Sequence, residues 1–276
     1  MGAPRSRGFT LVELMLVVVL LGIMAIGVTR YLEFGVGMYS QATEVQQALQ
    51  QSRFALERMS RELRQSAPNS IRITEDAALN LVCLEFTPVR QSGVYVNLPL
   101  FPLRQDSLTV VTLDTQWQGQ AGDRLTVYPT DPSHIYQTTQ LRTATLGSQD
   151  LDDGDNNPNT YQVRLAPQAG LAATFATGSP QQRFYLLSSP VSFCKSGTDL
   201  YRYSDYGFLA TQPLPPSTAP ALMATGLTNL ATEAVFRYDS PALTRNAVVH
   251  LFWRFGLNAE QSDLFFNHEV HVPNVP

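Results

Sequence analysis

From Phe9 to Val28 the chain is almost wholly apolar, and Glu13 is its only charge. Nothing else limits the fold as strongly. A helix of about 20 such residues spans a bilayer. A carboxylate inside it costs roughly 2.5–3.5 kcal/mol at the membrane centre. Glu13 stands near one end, where the cost is smaller, and Arg5 and Arg7 precede it. Basic residues on that side hold it in the cytoplasm. An ordinary single-pass anchor explains the hydrophobicity but not Glu13 or the glycine–phenylalanine boundary before it. A secretory signal would find a small-residue cleavage site at Ala25-Ile26-Gly27, but such signals have shorter apolar cores and rarely an acid within them.

A third reading accounts for both features. Gly8-Phe9-Thr10-Leu11-Val12-Glu13-Leu14 resembles the type IV prepilin signature. The resemblance implies that a prepilin peptidase cuts between Gly8 and Phe9 and that Phe9 is then N-methylated. It further implies that Glu13 pairs with the Phe9 amine of a neighbouring subunit during filament assembly. The physics agrees, because an amine and a carboxylate that are each costly in an apolar setting become tolerable as a pair. Gly22, Ala25 and Gly27 would let equivalent helices approach closely.

Beyond the apolar run, Val45, Leu49, Ser52, Leu56, Met59 and Leu63 recur at alternating spacings of four and three. That is one stripe on an amphipathic helix, either a seam against the chain's own domain or a partner surface. Glu57 with Arg61 and Arg58 with Glu62 form i,i+4 pairs expected on the solvent side. Gly35 and Gly37 predict a bend or local melting, and Pro68 predicts the stop. The pattern then changes to short β-branched and aromatic runs between turn residues. Strands are expected at 81–86, 108–113, 124–128, 161–165, 183–187, 191–194, 200–203, 247–255 and 264–272. Residues 212–220 read as a proline-rich loop and 222–230 as a short helix. No internal repeat is apparent.

The expected fold is therefore α+β and pilin-like. Residues 1–8 form a leader peptide, 9–29 a transmembrane and assembly helix, 30–67 an amphipathic helix and 68–276 a large β-rich periplasmic head. Within the pilin group the chain resembles the minor pilins of the mannose-sensitive haemagglutinin (MSHA) pilus. The residues are Arg53-Phe54-Ala55-Leu56-Glu57-Arg58, the run 61–70, Cys83-Leu84-Glu85-Phe86, Ser189-Pro190-Val191-Ser192-Phe193-Cys194 and the ending 266–276. The resemblance implies a single-pass inner-membrane protein that enters a filament. Its partners would be prepilin peptidase, other major and minor pilins, and the inner-membrane assembly platform. The larger pseudopilins of type II secretion share this chemistry and remain an alternative. So does an adhesive tip module using Trp117, Tyr201, Tyr203 and Tyr206, although these aromatics read more simply as core.

The formal charge is −4, and loss of a leader holding two arginines takes it to −6. A surface of that sign is unsuited to nucleic acid. Cys83 and Cys194 lie in strand-like runs on the exported side, where an even count reads as a disulfide; two buried thiols are the alternative. His268 and His271, three apart in a strand, point to opposite faces and cannot grip one ion. No nucleophile elbow, phosphate loop or CxxC pair appears, so no enzyme is expected. Asp150, Asp152, Asp153 and Asp155 crowd around Gly154. Alternating carboxylates suit Ca2+, which some pseudopilins bind, but the spacing is wrong for an EF-hand. A solvated turn is the plainer reading.

Overall fold

The computed structural model describes residues 8, 10–114, 116–148, 159–242, 245–256 and 263–273. It divides into two compact units, one reaching from the N-terminus to Leu49 and the other carrying most of the rest from Gln50 onward. Helix α1 (Leu11–Arg64) runs through both. Its first turn is capped by Thr10, whose Oγ1 and carbonyl oxygen both accept from the Glu13 N–H. Two hydroxyls on the exposed stretch of this helix are satisfied locally. Thr29 Oγ1 donates to the Ala25 carbonyl at 2.8 Å and Thr43 Oγ1 to the Tyr39 carbonyl at 2.9 Å.

The helix runs unbroken past Gly35 and Gly37, contrary to the bend expected there. Each glycine costs about 1 kcal/mol in a helix, which a long cooperative element absorbs. The stop also differs, falling at Arg64 rather than at Pro68. Gln65 offers its carbonyl to the Val89 N–H, and Ala67 donates to the Thr87 carbonyl. Those backbone groups therefore serve the sheet before the proline is reached.

Among the described residues fourteen strands follow: β1 (Arg72–Asp76), β2 (Leu81–Phe86), β3 (Val89–Tyr95), β4 (Ser107–Thr112), β5 (Arg124–Thr126), β6 (Thr143–Thr145), β7 (Thr160–Arg164) and β8 (Arg183–Leu187). Then come β9 (Val191–Ser196), β10 (Asp199–Tyr203), β11 (Ala221–Ala224), β12 (Phe236–Asp239), β13 (Ala247–Phe255) and β14 (Leu264–Val272). A short helix, α2 (Ser133–Tyr136), lies between β5 and β6. Three antiparallel sheets result, with strand orders β1-β2-β9-β10-β11, β6-β5-β8-β3-β4-β7 and β12-β13-β14. The six-stranded sheet is built wholly from chain inserted between β2 and β9. It has its own core, including Leu108, Val110, Leu125, Val163, Phe175 and Phe184. At Gly93 the strands approach so closely that a Cβ would collide with the Val111 carbonyl and the Phe184 ring, which accounts for glycine there.

The expected helix at 222–230 is instead β11 followed by irregular chain. Ala221-Leu222-Met223-Ala224 has helical propensity, but pairing with β10 buries Met223 and Ala224, and tertiary packing outweighs propensity. The amphipathic stripe is shifted as well. Ser52, Ala55, Met59, Ser60 and Leu63 are the buried residues of α1. Glu62 does not lie on a solvent face: it binds both Arg58 and, at 3.0 Å, Arg202 of β10. Gln51 Oε1 accepts from the N–H and hydroxyl of Thr225. The C-terminal part of α1 is thus a seam with its own domain.

Candidate functional site

The segment that the sequence singles out heads α1. Gly8 is exposed and Phe9 lies outside the described residues. Glu13 is in the first helical turn, where a carboxylate faces the positive end of the helix dipole. From Leu11 to Thr43 every residue of α1 is exposed, although the segment is strongly apolar. It is the one described helix long and apolar enough to cross a membrane. So much uncovered apolar surface marks a segment whose surroundings are lipid or other helices. Nothing lies within 4 Å of a Cβ built on Gly22 or Gly27, so both offer bare backbone to a close neighbour. Among the described residues no cation faces Glu13, and a charge in that setting calls for one.

The two cysteines meet as expected. Cys83 and Cys194 are directly opposite on β2 and β9, fully buried, and joined by a disulfide with Cα atoms 4.0 Å apart. Leu81 and Tyr203 pack around them.

Beside the disulfide lies a buried polar network that the sequence did not reveal. Glu85 on β2 is fully buried and binds Arg72 of β1. It also accepts from the Tyr206 hydroxyl at 2.8 Å, which contacts Ser192 Oγ at 2.7 Å. Arg72 lies 3.6 Å above the Tyr136 ring and donates to the Ala210 and Leu209 carbonyls. Burial, aided by the Glu85 charge, pushes both the Tyr136 and Tyr206 hydroxyls well up from their ordinary range. Arg124, losing hydration beside them, is lowered to about 10. The one visible signal was the pairing of a lone arginine and a lone glutamate in facing strands, a register that sequence does not specify.

The other candidates behave differently. The calcium reading of Asp150, Asp152, Asp153 and Asp155 falls outside the described residues. His268 and His271 stay on opposite faces of β14, and no cluster of metal-ligating side chains occurs among the described residues. His250 sits between Asp239 at 2.9 Å and Glu269 at 3.1 Å as a link across three strands. Tyr203 is buried, Tyr201 and Tyr206 pack beside the disulfide, and Trp117 lies 5.7 Å from Tyr161 against the six-stranded core. These aromatics are engaged in packing and do not form an open binding face.

Comparison with protein families matches residues 3–29 to the prokaryotic N-terminal methylation motif. No curated protein and no solved structure matches the chain. The matched stretch holds Gly8, Phe9 and Glu13 and opens the exposed apolar helix, which fits a membrane-anchored protein. Motif, helix and β-rich domain together support a type IV pilin-like protein, of the kind that prepilin peptidase processes and that assembles with other pilins.

Proposed function

We propose that this chain is a minor pilin of a type IV, MSHA-like pilus, with segments similar to the minor pilin MshO. It inserts in the bacterial inner membrane through residues 9–29, with its head in the periplasm. Prepilin peptidase cuts between Gly8 and Phe9, and Phe9 becomes N-methylated. The Phe9 amine of one subunit meets Glu13 of another, and this pairing sets the helix register. Repeated head-to-tail contacts of that sort generate an open filament. The chain joins other minor pilins to prime or cap that filament on the inner-membrane assembly platform.

The observation that carries the reading is the methylation motif set at the start of a long, uncovered apolar helix. Mass spectrometry of the N-terminal peptide from native membranes tests it. A chain beginning at N-methylated Phe9 is the expected result. One beginning at Met1 or Gly2 returns the protein to an ordinary anchor, and one beginning after Gly27 makes it a soluble exported protein. Recovery from sheared pili, rather than loss of secretion on deletion, separates a pilus subunit from a pseudopilin.

A further inference from the structure

Lysine occurs once in this chain, at Lys195, and arginine supplies every other long basic side chain. Lys195 is on β9 and only 4% exposed. Its Nζ donates to Asn80 Oδ1 at 2.8 Å, which uses one of its three donors. Burial lowers the ammonium from its ordinary 10.5, and no carboxylate offsets that effect. Among the described residues Lys195 enters no ion pair. A buried charge without a counter-charge is costly, so this group calls for an anion.

Lys195 lines a cavity of about 570 Å³, a size that suits a small organic ligand. Lys195 stands opposite Val82, and Val82 opposite Glu75, so the three side chains share one face of the five-stranded sheet. Glu75 is two strand spacings from Lys195, about 10 Å, and is exposed at the open end. Ile73, Leu230 and Phe236 add apolar lining. The wall at 229–236 is fixed in advance. Asn229 Nδ2 donates to the Phe252 carbonyl at 2.9 Å, and the Arg254 N–H donates to Asn229 Oδ1 at 3.1 Å. The other acids of the cavity already serve other groups. Glu233 accepts from the Leu230 N–H and pairs with Arg254, and Asp76 Oδ1 accepts from the Ala78 and Leu79 N–H groups. A preformed site loses little freedom on binding. With Glu75 and Asp76 close by, one negative charge is welcome at Lys195 and a second is repelled.

We propose that this cavity binds a small monocarboxylate with an apolar body, its carboxylate on the Lys195 ammonium and its hydrocarbon part against Ile73, Val82 and Phe236. The test uses the full chain in detergent micelles with isotopically labelled lysine, which gives one side-chain signal because Lys195 is the only lysine. Isovalerate should shift that signal saturably, and its neutral amide should not. Succinate should bind roughly tenfold more weakly, and Glu75→Gln should narrow that gap. Lys195→Met should abolish magnetisation transfer from the protein to the methyl groups of isovalerate. If that variant does not fold, the titration of the unaltered chain decides. A peptide ending in leucine with a free carboxylate separates the two sources of this chemistry. Binding tighter than isovalerate assigns the site to the carboxyl terminus of a protein, and weaker binding assigns it to a free acid. No shift, a shift that grows without saturating, or an equal response to the amide, to succinate or to inorganic phosphate overturns the inference.

Discussion

Replacing Glu85 with glutamine should destabilise the globular unit by about 3 kcal/mol, the lower end of what removing one partner of a buried ion pair costs. Glutamine preserves the shape and still accepts from Tyr206. It leaves Arg72, whose side chain is only 16% exposed, as an uncompensated buried cation. Two carbonyls, those of Ala210 at 2.7 Å and Leu209 at 2.9 Å, soften that cost without cancelling the charge. With a urea dependence of roughly 2–3 kcal/mol/M, the unfolding midpoint of the full chain in detergent micelles should drop by about 1–1.5 M. Arg72→Met alone should cost a similar amount, because it strands the Glu85 carboxylate instead. The double variant should recover about 2 kcal/mol relative to the sum of the two, since neither charge is then left buried without its partner. Strict additivity, or a midpoint change below about 0.3 M for Glu85→Gln, would show that the pair is not the organising interaction described above.

Three further outcomes are expected. The disulfide closes an interval of 111 residues, so the Cys83→Ala/Cys194→Ala variant should lose about 4–5 kcal/mol in the chain-entropy model; a urea midpoint within about 0.5 M of the unaltered protein would contradict this. Burial, followed by repulsion from Arg142, holds His134 below its ordinary 6.5, and the Thr130 N–H already donates to its Nδ1 at 3.2 Å. The unfolded chain then binds the proton more readily, so this contribution is complete above pH 6.5 and is lost as pH falls through the lower folded value. His134→Gln should flatten the midpoint-against-pH curve in that window, and curves of equal slope would refute the assignment. Glu13→Ala should insert normally but appear in sheared pili at a reduced level, and normal amounts would remove Glu13 from the assembly mechanism.

The elements legible in the sequence were those whose local pattern and tertiary role agree. The runs at 81–86, 183–187, 247–255 and 264–272 are dense in β-branched and aromatic residues, and each is a strand with those bounds, while the run at 200–203 is a strand that begins one residue earlier. Strand β1, Arg-Ile-Thr-Glu-Asp, went unseen because an edge strand needs no apolar alternation and draws its place from pairing with β2. Strand β3, with Gly93 and two polar residues in its middle, was hidden in the same way. At the N-terminal end, Gly8 and Glu13 stand out in the sequence because their chemistry conflicts with hydrophobic patterning, and the methylation motif matches the stretch that holds them. The Glu85 network was not legible, since it depends on which strands become neighbours.

The insertion between β2 and β9 also has a mechanical consequence. Its two ends leave from the same rung, Phe86 opposite Val191, and the covalent link lies three rungs away at Cys83 and Cys194. Any pull between the α1 side of the chain and its C-terminal strands therefore passes from sulfur to sulfur and bypasses the six-stranded sheet. At about 3.5 Å per residue the bypassed interval stores about 390 Å of chain. That length stays out of reach of tension until the bond is reduced, so the six-stranded sheet is shielded from load carried through its own backbone.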